Sequence, residues 1–152
     1  MLQSYDELLT YIRHQGAACT EVRAHHAVEM PTHAPPADGT MVILWNPDPQ
    51  LVQFIQTLPF PVAPERVAAV EGSLLRINHA LALPGFGFNY ETVRAYFRLV
   101  IPRQPNGHIA EEEIGRAAST VMTTLRDFWL PLRSVILDGA SPASILTAKT
   151  LA

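Results

Sequence analysis

The chain is poor in cysteine, in lysine and in charge altogether, and each shortage removes a class of protein. Cys19 is the only cysteine among 152 residues, so no internal disulfide can form and a reducing compartment fits. Charged residues make up 16% of the chain and the net charge is −3. That argues against nucleic-acid binding, which normally needs a basic face to neutralise phosphates. Lys149 stands alone against ten arginines, and planar guanidinium groups suit fixed ion pairs and stacked contacts more than general solubility. No apolar run approaches the length that a membrane helix requires. The start, Met1-Leu2-Gln3-Ser4-Tyr5-Asp6-Glu7, has no basic segment leading into an apolar run, so no signal peptide is expected. The expectation is a soluble, cytoplasmic protein.

What is present is apolar surface. At 48% hydrophobic, a chain of this length can bury a core without staples. One domain over residues 1–138 is expected. The segment 139–152, with Gly139 and Ser141-Pro142, should be loosely ordered.

Ser4 followed by Glu7 is a capping-box pattern. Leu2, Tyr5, Leu9 and Ile12 then share a helical face, and Gly16 ends it. From Thr20 to Met30, Thr20, Val22, Ala24, His26, Val28 and Met30 alternate with Glu21, Arg23, His25 and Glu29, which predicts one half-buried strand. A loop with Pro31, Pro35, Pro36 and Asp38-Gly39 follows. Met41 to Trp45 is an almost wholly apolar second strand, and Leu51 to Leu58 is a third.

Pro64 opens a helix reaching about Leu81, in which Val67, Val70, Leu74, Ile77 and Leu81 step along one face. A hairpin covers Gly85 to Pro102 and turns near Asn89-Tyr90-Glu91. Its outgoing strand sets Val93, Ala95, Phe97, Leu99 and Ile101 against Arg94, Tyr96 and Arg98. The last helix, Glu111 to Val135, opens on three glutamates that complement its dipole. It buries Ile114, Ala118, Val121, Leu125, Phe128, Leu132 and Val135. Pro131 should kink it or end it early. The order is α-β-β-β-α-β-β-α, an α+β chain.

Few residues suggest chemistry. His25 and His26, adjacent on a strand, would point to opposite faces and could not chelate one ion together; His33 lacks an evident third ligand. Gly85-Phe86-Gly87 precedes a strand, and Tyr90 stands where a third glycine would be needed, so it reads as a turn and not a nucleotide loop. Cys19 has no activating histidine that the sequence can place beside it, and no serine sits in a Gly-x-Ser-x-Gly elbow. No catalytic residue, metal site or cofactor is expected. Arg94 and Arg98 flank Tyr96 on one strand face. That is either a solvated face with cross-strand ion pairs or a patch for a partner, since arginine and tyrosine are favoured at binding hot spots.

The runs Leu74-Leu75-Arg76-Ile77-Asn78-His79-Ala80-Leu81, Gly85-Phe86-Gly87-Phe88 and Ala95-Tyr96-Phe97-Arg98-Leu99-Val100-Ile101-Pro102 resemble the YbjN family, proposed to act in bacterial sensory transduction. That family is similar in fold to type III secretion chaperones of the Tir-chaperone class. Asn78, Phe86, Arg98 and Pro102 fill the places of the shared pattern. The match is close over the second half of the chain and rests on element order in the first. The proline-rich loop and the segment beyond Gly139 depart from it. The resemblance implies an antiparallel sheet with helices packed on one face and a type III secretion chaperone-like fold, and it implies no catalytic residues.

The function expected is therefore a non-enzymatic, protein-binding or regulatory module. An extended peptide could add to the sheet by main-chain pairing or by alternating pockets. The alternative is a chaperone for a secreted or labile client, and an enzyme ranks third. The partners expected are a protein or peptide and a second copy in a homodimer, with no nucleic acid and no membrane. Residues named for partner contact are Arg94, Tyr96, Arg98, Trp45 and Phe54. The dimer interface is expected in Trp45–Phe60 or in the hairpin strand carrying Tyr96.

Overall fold

The structure, a computed structural model, describes residues 1–146. Helix α1 (Tyr5–His14) leads into β1 (Thr20–Val22), β2 (Ala27–Thr32), β3 (Gly39–Asn46) and β4 (Leu51–Thr57). Helix α2 (Val67–Ala80) follows, then the hairpin β5 (Phe86–Asn89) and β6 (Arg94–Pro102), and finally α3 (Glu111–Leu137). The six strands form one antiparallel sheet in the order β1-β2-β3-β4-β6-β5. The chain enters the sheet from α2 at β5, and β6 folds back between β5 and β4, so β5 is an edge.

Each helix starts and stops where local chemistry directs. The Ser4 hydroxyl accepts the Glu7 N–H, while the Glu7 carboxylate accepts from Gln3 N–H, one residue before the usual capping-box position. Gly16 turns the chain at φ 75 after α1. A 3₁₀ turn, Pro64–Arg66, precedes α2. Arg66 then reaches across to the far end of α3, donating to the carbonyls of Val135 and Ala140 at 2.7–2.9 Å.

One face of the sheet carries Val28, Met41, Ile43, Trp45, Val52, Phe54, Phe86 and Phe97. It meets Leu8 and Ile12 of α1, Val70, Leu74 and Ile77 of α2, and Ile114, Val121, Leu125, Phe128 and Leu132 of α3 in a single buried cluster. Phe86 is central, edge-on to Phe97 at 4.9 Å and to Phe128 at 5.8 Å. The helices cover this face, and the α+β architecture matches the expectation from element order.

Local expectations are corrected between Thr20 and Met30 and at Val93. The predicted strand Thr20–Met30 is two strands, because Arg23–His25 form a 3₁₀ turn and His26 takes a left-handed conformation at φ 48. His25 and His26 therefore do not sit on opposite faces of a strand, and His33 pairs with Asp38 at 3.2 Å. Val93 lies in the hairpin turn at φ 50 and is exposed, not on the apolar side of β6.

Helix α3 runs through Pro131 to Leu137: Phe128, Trp129, Leu132, Val135 and Ile136 are all buried around the proline and hold its flanks in place. In the segment from Gly139, Pro142–Ser144 form a 3₁₀ turn against α2, and Ile145 is buried in the core. Residues 147–152 lie outside the described residues.

Candidate functional site

The second face of the sheet is the candidate site, and its composition follows from β3. Met41-Val42-Ile43-Leu44-Trp45 is apolar at every position, so alternation sends Met41, Ile43 and Trp45 into the core and Val42 and Leu44 outward. A strand apolar on both faces normally has cover on both. Here no helix lies over the outward side among the described residues, and Val42 and Leu44 remain half-buried only.

Pairing registers assemble the rest of the surface. Val42 pairs with Ile55, and Ile55 with Arg98; on the other side Val42 pairs with Glu29. One row across four strands thus reads Glu29, Val42, Ile55, Arg98. Beside it lies a row with Leu44, Gln53 and Val100. On the opposite flank Pro31 pairs with Thr40, and Thr57 with Tyr96. The surface is an apolar centre with a carboxylate at one margin and a guanidinium at the other.

Tyr96 and Arg98 occupy this face together, as strand alternation predicts. Tyr96 lies over Gly87, its cross-strand partner: a methyl group at Gly87 would sit 2.5 Å from the tyrosine ring. The glycine makes room for the ring and the ring covers the glycine. The Arg98 guanidinium lies 5.9 Å from the centre of the same ring. Beside them is an open hollow of about 350 Å³ lined by Leu83, Pro84, Gly85, Tyr96, Arg98 and Val100.

Arg94 follows on the same side at the start of β6, with its Nε buried and unbonded. The cross-strand ion pairs considered for these arginines do not form. Among the described residues neither Arg94 nor Arg98 has a carboxylate within 4.0 Å.

Trp45 and Phe54 are placed elsewhere. Both project to the helix-covered face, Trp45 5% exposed and Phe54 fully buried. Trp45 is sealed further by Arg103, whose guanidinium stacks 4.3 Å from its ring while donating to the carbonyls of Asn46 and Gly107. Burial lowers the Arg103 pKa. Of the five residues named for contact, the fold brings Arg94, Tyr96 and Arg98 to one face and moves Trp45 and Phe54 into the core.

Glu29 was legible as the polar side of its strand, but Val42, Leu44, Ile55 and Val100 went unread as surface residues. The signal available was the unbroken apolar run in β3, which period-two reasoning cannot assign to one side.

The edge of the hairpin is closed to main-chain pairing at Phe86. The outward N–H and C=O of Phe86 are both bonded to the Asn78 side chain, at 2.9 Å each, and Gly85 N–H donates to the same amide oxygen at 3.2 Å. Asn78 acts as a one-residue strand, and with α2 alongside it guards the edge. At the other edge β1 spans three residues only. Main-chain pairing is thus blocked at Phe86 and limited to short segments elsewhere on the margins, and the open face is the larger surface.

No helix among the described residues is long and apolar enough to cross a membrane. Among those residues no three His, Cys, Asp or Glu side chains gather to hold a metal ion.

No protein-family model matches the chain, and no curated protein matches it in sequence. Among solved structures it is similar to the crystal structure of YbjN from E. coli, a protein proposed to be a transcription regulator. The two share 15% sequence identity over 90% of each chain, with a TM-score of 0.63. At that identity the likeness is one of fold, and it agrees with the resemblance carried by Asn78, Phe86, Arg98 and Pro102. The chain therefore has a YbjN-like α+β fold.

Proposed function

We propose that the protein is a non-enzymatic, regulatory type of protein-binding module whose binding surface is the uncovered face of the sheet. The observation that carries this reading is the apolar centre Val42, Leu44, Ile55 and Val100, exposed or half-buried where the rest of the sheet is covered. Exposed apolar surface rimmed by single charges is the ordinary make-up of an interaction site. Tyr96 and Arg98 add an aromatic and a cation of the kind that anchor interfaces, and Arg94 extends the same margin. The fold shared with YbjN, itself proposed to be a regulator, supports the reading in outline.

The test compares immobilised wild-type chain with Val42→Asp and Ile55→Asp in extract of the native organism. Both side chains are half-buried on the outer face, so both variants should fold, as circular dichroism can check. Partners held by the wild type should be lost from the variants. Retention of the same partners by both would remove the face from consideration.

A further inference from the structure

We propose that the uncovered face pairs with the same face of a second copy of this chain, about a two-fold axis that runs parallel to the strands between β3 and β4. The proposal rests on the reading of that face as a binding surface and names its partner.

The charge pattern of one row points to this pairing. Glu29 and Arg98 stand at its two ends with Val42 and Ile55 between them. Three strand spacings, about 14 Å, separate the two charges, so they cannot pair within one chain. Both are exposed, and among the described residues neither has an ion-pair partner.

Rotation about the proposed axis exchanges the ends of the row. Glu29 then faces the partner's Arg98, Arg98 faces the partner's Glu29, and Val42 faces the partner's Ile55. The flanking row behaves the same way, since Pro31 comes to the partner's Tyr96, a proline against an aromatic ring. A face of one sign would repel its own copy; this face carries opposite signs at positions that the two-fold interchanges.

The area lies at the low end for a specific interface. Four strands about 4.8 Å apart and seven residues long give roughly 19 by 23 Å, or about 440 Å² in projection per copy. Two copies supply about 900 Å² before side-chain relief is added, against roughly 1,200 Å² for a specific interface.

The test is charge exchange on the full chain, read by sedimentation and light scattering. The wild type should have the mass of two chains at micromolar concentration. Glu29→Arg and Arg98→Glu should each weaken association roughly tenfold or more, because each places like charges in contact twice per dimer. The double variant Glu29→Arg/Arg98→Glu should return to within about threefold of the wild type, since the pairs re-form with their signs reversed. Both side chains are exposed, so these variants keep the fold.

A wild type with the mass of one chain up to about 100 μM, where even a weak specific pair would associate, overturns the proposal. So does a double variant no tighter than the singles. If the wild type is monomeric while Val42→Asp loses partners captured from extract, the second copy is refuted and the binding surface stands. If Val42→Asp alters neither association nor capture, both fail.

Discussion

Replacing Asn78 by alanine should detach the hairpin edge from α2 and cost about 2–3 kcal/mol of stability. The amide makes three hydrogen bonds to main chain, accepting from Gly85 N–H and Phe86 N–H and donating to Phe86 C=O. A net value near 1 kcal/mol each gives the figure, held down because two donors share one acceptor oxygen and held up because Phe86 is buried. Asn78→Asp separates the two halves of the lock. It keeps the acceptor but sets a carboxylate against the Phe86 carbonyl, so the loss should be smaller than for alanine and should shrink further in acid, when the carboxyl regains a proton to donate.

Urea denaturation measures the stability change, and amide exchange at Gly85 and Phe86 locates it. Exchange there should quicken in Asn78→Ala while Val121 and Leu125 in α3 keep their protection. A loss under about 0.5 kcal/mol, within the range of an unremarkable surface change, would refute the view that this amide stands in for a missing strand.

Two further outcomes follow from main-chain geometry. Arg66→Ala should cost about 1–3 kcal/mol, since its guanidinium satisfies the carbonyls of Val135 and Ala140 at the end of α3; Arg66→Lys should recover only part of this in urea melts, because an ammonium lacks the fork that bridges both. Val93→Gly should raise stability by about 0.5–1 kcal/mol, because a β-branched residue at φ 50 costs more than the added freedom of glycine; a lower melting temperature would show that the half-exposed valine packs more than it strains.

The elements that were legible in the sequence are those in which one pattern admits one reading. In α2, Val70, Leu74 and Ile77 are spaced for a helix and face the core. In β6 the alternation separates Ala95 and Phe97 from Tyr96 and Arg98, and the structure keeps that division. The break between β1 and β2 was illegible because the alternation continues through it: Ala24 and His26 fit a strand, and no glycine or proline marks the 3₁₀ turn or the left-handed His26. Pro131 does not end α3, one of the two outcomes expected of it. Its ring removes one hydrogen bond from α3, but the buried Phe128, Trp129, Leu132 and Val135 on either side outweigh that loss.

The candidate site was legible only in part, and for a different reason. Tyr96 and Arg98 share a face by their spacing alone, so the sequence suffices for them. Trp45 and Val42 lie in a run where every residue is apolar, and nothing local says which of them meets the helices. The side is decided by register with β4, and through β4 with β6, a strand more than forty positions further along the chain. Glu29 and Arg98 enter one row only after three ladders are fixed. An isolated glutamate in a strand beside a proline-rich loop carries no sign that its counter-charge is an arginine three strands away, on the margin where a second copy would have to meet it.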